Sequence, residues 1–150
     1  MVQSRVSSLN KGAFLAEWPV YELILFHLIG NAVKFSKTGG SISVILSPRE
    51  VEDQLSLKTC VRDNGLGISE EKLEIIRKSI DQSLNPKVLI KEFEEKPSLE
   101  GIGFGLTSTI VLVKLLGGEI SFSSIPWYKT EVNLSFAIKR AHEDSRAESV

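Results

Sequence analysis

Three polar side chains, His27, Asn31 and Lys34, interrupt the apolar run "HLIGNAVKFS" at spacings of four and three. On a helix this spacing puts all three on one stripe. An asparagine carbonyl oxygen suits Mg2+, which takes few protein ligands and fills its shell with water and phosphate oxygens. A lysine one turn on can meet those phosphates as a point charge. Taken alone, the wet edge of an amphipathic helix is the commoner meaning of such a stripe.

Two glycine-containing segments raise the same kind of choice. "DNGLGI", residues 63 to 68, follows a strand-like run. Asn-Gly between apolar runs signals a hairpin, yet the segment after it is helix-like. An aspartate at a strand end can instead accept from the exocyclic amine of a base, with glycines letting the ligand approach the backbone. "GIGFGL", residues 101 to 106, has glycine at every second position. It matches neither G-x-G-x-x-G nor the Walker loop. It is either a hinge or a glycine-rich helix start whose N–H groups hold phosphate.

These residues need a scaffold. The spacing predicts a helix from about Pro19 to Phe35, with proline harmless in its first turn. Tyr21, Leu25, Leu28, Ala32 and Phe35 form its expected buried face. "SISVILS" and "LSLKTCVR" read as strands joined through a charged turn, "PREVEDQ". Ser69 is placed to cap a helix over "EEKLEIIRKSI", with Glu70 and Glu71 at its positive end and Leu73, Ile76 and Ile80 on one face.

From Asp81 to Glu100 no period survives, and a long mobile connection is expected. "TSTIVLVKLLGG" is strand-like in its β-branching but helix-like in its length and closing Gly117-Gly118. "EISFS" and "EVNLSFAI" are strands, the second alternating Val132, Leu134, Phe136 and Ile138. "AFLAE" is a short strand candidate. Residues 1–12 are expected to be a flexible segment, and 139–150 a disordered tail. This order predicts an α+β fold, a two-layer α/β sandwich with about three helices on one face of a mixed sheet of about five strands.

With 42% hydrophobic and 25% charged residues, the 150-residue chain has the make-up of one soluble globular domain. A net charge of −1 offers no electrostatic case for nucleic acid or an anionic membrane surface. The single cysteine, Cys60, cannot form an internal disulfide, in keeping with a reducing compartment. Glu22, His27 and Asn31, or Lys114, interrupt every apolar run that could approach a bilayer span. A cytoplasmic chain, or the soluble portion of a membrane-bound protein, is expected, without direct membrane contact.

Taken together and in this order, the segments resemble the ATP-binding catalytic domain of sensor histidine kinases, a branch of the superfamily shared with DNA gyrase, mismatch-repair ATPases and the heat-shock chaperone. "HLIGNAVKFS" is similar to that family's asparagine box, "DNGLGI" to its first glycine box, "GIGFGL" to its second, and "LLGGEISFSS" to the stretch that follows. The wording is nearest to hybrid and ethylene-receptor-type kinases. The resemblance covers residues 13–138 and implies a Bergerat-type fold with a mobile ATP lid over about 69–100.

It further implies ATP and Mg2+ as cofactors. Asn31 would coordinate the metal, Lys34 would contact phosphate, and Asp63 would bind the adenine amine. Gly65, Gly67 and Ile68 would shape the loop round the base. Gly101, Gly103, Gly105 and Leu106 would form the lid hinge, and Thr130 would lie near adenine. Hydrolytic members of the family carry glutamate where this chain has His27, so phosphoryl transfer is favoured over water attack.

The implied acceptor is a histidine on a separate phosphoacceptor domain, in the parent chain or in trans, with a receiver domain downstream. This chain has no box of the H-E-x-x-[TP] kind. It departs from the family at Ile102 and Phe104, in a lid without a clear phenylalanine motif (for which Phe93 could substitute), and at Trp127 and Lys129, where small residues are expected. Those departures keep open a degenerate nucleotide-sensing module, and the fold and size keep open a serine kinase of the anti-sigma type.

Overall fold

Period-two alternation of apolar residues gives a sheet one inward face, and helices cover that face. The structure, a computed structural model, describes residues 2–6, 14–82 and 104–141. In chain order the elements are β1 (Val2–Val6), β2 (Phe14–Leu15), α1 (Trp18–Lys34), β3 (Ile42–Val51) and β4 (Gln54–Asp63), followed by α2 (Glu70–Gln82), α3 (Phe104–Leu115), β5 (Glu119–Ile125), β6 (Lys129–Ala137) and β7 (Lys139–Arg140). The main sheet has the order β1-β3-β4-β6-β5, with β1 parallel to β3 and the other neighbours antiparallel. Among the described residues, the expected two-layer α+β sandwich forms, with a five-stranded mixed sheet and three helices. No helix among the described residues is long and apolar enough to cross a membrane.

β4 points Leu55, Leu57, Thr59 and Val61 inward, and β6 answers with Val132, Leu134 and Phe136. α1 lays Tyr21, Ile24, Leu28 and Ala32 on this surface. The Tyr21 hydroxyl ties the helix to the sheet through Thr59 Oγ1 at 2.7 Å, and burial raises the pKa of that phenol. The segment of undecided type is the helix α3, buried through Ile110 and Val113. It stops where Gly117 takes a left-handed φ of 67° and Gly118 N–H bonds the Val113 carbonyl at 2.9 Å. α2 is capped as expected, Ser69 Oγ accepting from Lys72 N–H at 3.4 Å.

Several boundaries differ from the sequence expectations. Val2–Val6 is a strand rather than loose chain, because β3 would otherwise leave an edge unpaired. Met1 and residues 7–12 of the expected flexible segment lie outside the described residues. Lys139–Arg140, the first two residues of the expected tail, pair with Phe14–Leu15; 142–150 lie outside the described residues. Within the expected lid, 70–82 is a helix fixed by fully buried Leu73 and Ile76, and 83–100 lies outside the described residues. Phe35 is not core: it ends α1 and is 36% exposed, with Ile24 taking its place.

The charged turn is shorter than expected. β3 continues through Pro48, beyond the stretch that β1 covers, where proline is tolerated. Only Glu52 and Asp53 reverse the chain, at φ 49° and 63°. Two left-handed residues between paired Val51 and Gln54 make the turn that Asn-Gly favours. Replacing both, Glu52→Asn with Asp53→Gly, should stabilise the fold by about 1 kcal/mol. Urea unfolding checks this through a higher midpoint at unchanged slope; an unmoved midpoint would show that the turn holds no strain.

Candidate functional site

The inward parity of β4 does not stop at Val61. It ends on Asp63, only 7% exposed, and sets it directly opposite Thr130 of β6. A carboxylate in that position needs donors, and one is built in: Gly65 N–H reaches Asp63 Oδ1 at 2.8 Å. Burial nonetheless pushes the Asp63 carboxyl above its ordinary value, the Gly65 hydrogen bond only partly opposing it.

The loop after Asp63 is held by close backbone approaches. A Cβ on Gly65 would stand 2.7 Å from Asp63 Oδ1 and closer still to the Phe35 carbonyl. Gly67 has a φ of 71°, and a Cβ there would stand 2.5 Å from the Ile125 carbonyl oxygen. Leu66 N–H bonds the Phe35 carbonyl at 3.0 Å, and Trp127 N–H bonds the Leu66 carbonyl at 2.6 Å. Lys37 Nζ then donates to the Trp127 carbonyl, which returns the circuit to the segment after α1.

Ser124 completes the base of this region. Its Oγ accepts Ile68 N–H at 2.8 Å and donates to the Lys129 carbonyl at 2.7 Å. Its one proton is thereby committed, so the Thr130 hydroxyl, 3.0 Å away, donates to it.

At the other end, the first turn of α3 lies against α1. A Cβ on Gly105 would stand 3.5 Å from His27 Nδ1 and 3.7 Å from Asn31 Oδ1. Between the two ends is a cavity of about 340 Å³, a size in the range of small-molecule sites. Asn31, Asp63, Gly67, Ile68, Leu106 and Thr130 all line it, with apolar walls from Leu28, Val61 and Ile76.

The structure therefore brings together six of the residues singled out in sequence, with Gly65 and Gly105 directly behind them. Lys34 does not join them: it is exposed, with Nζ 5.2 Å from the Phe35 ring centroid. His27 flanks Gly105 without lining the cavity. Gly101, Ile102, Gly103 and Phe93 lie outside the described residues. Sequence reasoning missed Ser124 and Lys72, which also lines the cavity. Ser124 sits among other serines with no distinguishing signal. Lys72 could have been found from its place one turn into a helix that starts beside the glycine loop.

The described residues contain no group of three His, Cys, Asp or Glu side chains able to hold a metal by themselves. Asn31, one neutral oxygen donor beside the backbone of Gly105, fits an ion that draws most of its ligands from a phosphate chain.

The family profile described as "Histidine kinase-, DNA gyrase B-, and HSP90-like ATPase" matches residues 20–140. The chain belongs to this family. Sensor protein GacS of Pseudomonas syringae pv. syringae is 29% identical over 121 residues, 81% of this chain and 12% of that protein. Hybrid signal transduction protein dokA of Dictyostelium discoideum is 39% identical over 101 residues, 67% of this chain and 6% of that protein. The histidine-protein kinase BarA of Escherichia coli K12 is 30% identical over 124 residues, 75% of this chain and 12% of that protein. The chain thus spans about an eighth or less of these relatives.

Full-length ShkA, solved in complex with AMPPNP, has the same fold at a TM-score of 0.64 and 22% identity, over 93% of this chain and 26% of that one. The mycobacterial sensor histidine kinase MprB follows at 0.59 and 15%, over 93% and 82%. The domain is of the ATP-binding catalytic type found in histidine protein kinases.

The buried acid gives a stability test with a definite sign. Because the folded pKa of Asp63 is raised, the folded state binds its proton more tightly than the unfolded chain. Stability attributable to Asp63 is full below the unfolded value, and falls as pH rises from there through the folded pKa. Asp63→Asn keeps an acceptor for Gly65 and removes the charge. The variant should therefore be more stable than wild type at neutral pH, the gap closing as pH drops through the folded pKa. Urea unfolding of both proteins along a pH series checks it; a variant less stable at every pH would refute the burial cost.

Proposed function

We propose that the cavity binds Mg-ATP and that the domain transfers the γ-phosphoryl to a histidine on a separate phosphoacceptor domain, in the parent chain or in trans. The observation that carries this reading is a single cavity lined by the facing pair Asp63 and Thr130 and by Asn31, with Gly105 packed against Asn31. Asp63 has one carboxylate oxygen committed to Gly65 and can accept from the adenine amine with the other. Thr130 donates to Ser124, so its oxygen presents lone pairs to the base. Gly65, Gly67 and Ile68 shape the loop at the base, and Leu106 forms apolar wall.

Asn31 is the residue that would hold Mg2+, which would supply charge neutralisation to the phosphates. Gly105, with Gly101 and Gly103 by resemblance, would bring backbone N–H groups to the phosphates. Lys34, one turn from Asn31 and exposed, has the reach to swing toward them. His27 stands where a hydrolytic enzyme would need a carboxylate, which supports transfer to an incoming nucleophile in place of water attack.

The partner reading, an acceptor domain followed by a receiver domain on the cytoplasmic side, draws support from α1. Leu23, Phe26 and Val33 are 44%, 72% and 60% exposed on the face away from the core, beside the flank that carries His27 and Lys34. Such an apolar stripe suits docking of a helical domain.

A melting-temperature rise with Mg-ADP or a non-hydrolysable ATP analogue is expected, of the size mass action gives, about 2.7 kcal/mol at a hundredfold excess over Kd. Asp63→Ala should abolish it; a rise that survives the substitution would sink the assignment. When the helical acceptor domain is supplied, labelled phosphohistidine should appear, and Phe26→Asp should reduce it while leaving the nucleotide shift intact. Nucleotide binding without phosphohistidine would instead identify a sensing module, a reading that the altered turn at Trp127 favours. Phosphoserine on a partner would indicate the serine kinase.

A further inference from the structure

Trp127 occupies a conformation that suits it poorly. Pro126 and Trp127 form the centre of a turn closed by Tyr128 N–H on the Ile125 carbonyl at 3.1 Å. Trp127 follows the proline with a φ of 63°, the position that glycine or asparagine favours in such turns. A bulky side chain in the left-handed region is a local strain, and such strain persists where neighbouring structure over-determines it. Here Leu66 takes the Trp127 N–H, Lys37 takes its carbonyl, and Gly67 abuts the Ile125 and Pro126 backbone.

The indole is also badly placed for stability. It is 72% exposed, although tryptophan is the side chain with most apolar area to bury. Yet it lines the cavity at the end where Asp63 and Thr130 face each other. Strain and exposure therefore coincide on one aromatic ring at the mouth of a site.

We propose that Trp127 is a base-stacking residue: its indole covers the flat face of a purine whose exocyclic amine is held by Asp63, and so selects large bases over small ones. This rests on the nucleotide reading above and adds to it a selectivity that the carboxylate cannot supply. Adenine and cytosine both present an exocyclic amine to Asp63. They differ in the area they offer an indole, and stacking strength follows that area.

The test compares ADP and CDP by calorimetry in Mg2+, on wild type, Trp127→Phe and Trp127→Gly. A fluorescence arm uses a Trp18→Phe background, because Trp18 stands outside the cavity, bonded to the Phe14 carbonyl and edge-on to Tyr21. ADP should quench the remaining Trp127 emission. Trp127→Gly should weaken ADP about tenfold while changing CDP by less than about threefold, and Trp127→Phe should restore most of the ADP affinity. The apo melting temperature of Trp127→Gly should rise, since glycine relieves the turn, which separates lost stacking from lost folding. Unchanged ADP affinity in Trp127→Gly, or equal losses for ADP and CDP, overturns the proposal and leaves the nucleotide reading standing. Wild type that binds neither nucleotide overturns that reading, and this one with it.

Discussion

Leu66 bonds the Phe35 carbonyl on one side and Trp127 N–H on the other, and it can do so only because Gly65 carries no side chain. That double bond from one residue joins three segments far apart in sequence: the end of α1, the loop after β4 and the β5–β6 turn. The cavity is the space they enclose beneath α1. Any Cβ at Gly65 would collide with the Phe35 backbone or with Asp63 itself. The glycine therefore sets the position of the acid as well as the path of the loop. Lys37 and Ser124 reinforce the same junction from opposite sides, one through the Trp127 carbonyl and one through Ile68 N–H. A site assembled this way has its base end fixed by backbone, which is stiffer than side-chain packing.

The acid at the centre of the junction opposes folding. Asp63 takes an inward position that Leu, Thr and Val fill on the rest of β4. Its single protein donor leaves the carboxylate under-solvated, which is why its pKa rises. A ligand amine would supply the missing donor. The same holds for Trp127, whose exposed ring and left-handed backbone both work against the free fold. The penalties cluster where the cavity opens and are absent from the α1–sheet contact, where Tyr21 and Thr59 satisfy each other. This separation of a relaxed core from a costly rim is the usual mark of a binding site.

Much of this was legible from residue order. The parity of β4 and β6 follows from Leu55 to Val61 and from Val132 to Ile138, and it places Asp63 and Thr130 inside without further information. Ser69 announced α2, and Gly117-Gly118 announced the end of α3. The failures have physical reasons. α1 is apolar almost all round, so periodicity could not choose its buried face, and Ile24 displaced Phe35. The hairpin reverses at Glu52-Asp53, where Asp53 suits a left-handed turn but Glu52 does not, so Pro48 drew the turn too early. β1 pairs in parallel with a strand forty residues away in register, Val2 with Ile42, a contact that no local pattern records. Ser124 acts through three hydrogen bonds that depend on tertiary placement alone.

The two faces of α1 show how one helix can serve both fold and chemistry. Tyr21, Ile24, Leu28 and Ala32 anchor it to the sheet, and Asn31 looks along the sheet into the cavity on the flank it shares with His27. A helix turns 100° per residue, so Asn31 lies only a fraction of a turn from its buried neighbours Leu28 and Ala32. Its amide is consequently held at the boundary between core and solvent, close enough to Gly105 to fix its distance from α3. Lys34, one further step round toward solvent, escapes that constraint and lies over the Phe35 ring. The rigid member of the pair is thus suited to holding a metal at a fixed point. Lys34 is set apart from it, on the solvent side, by helical phase alone.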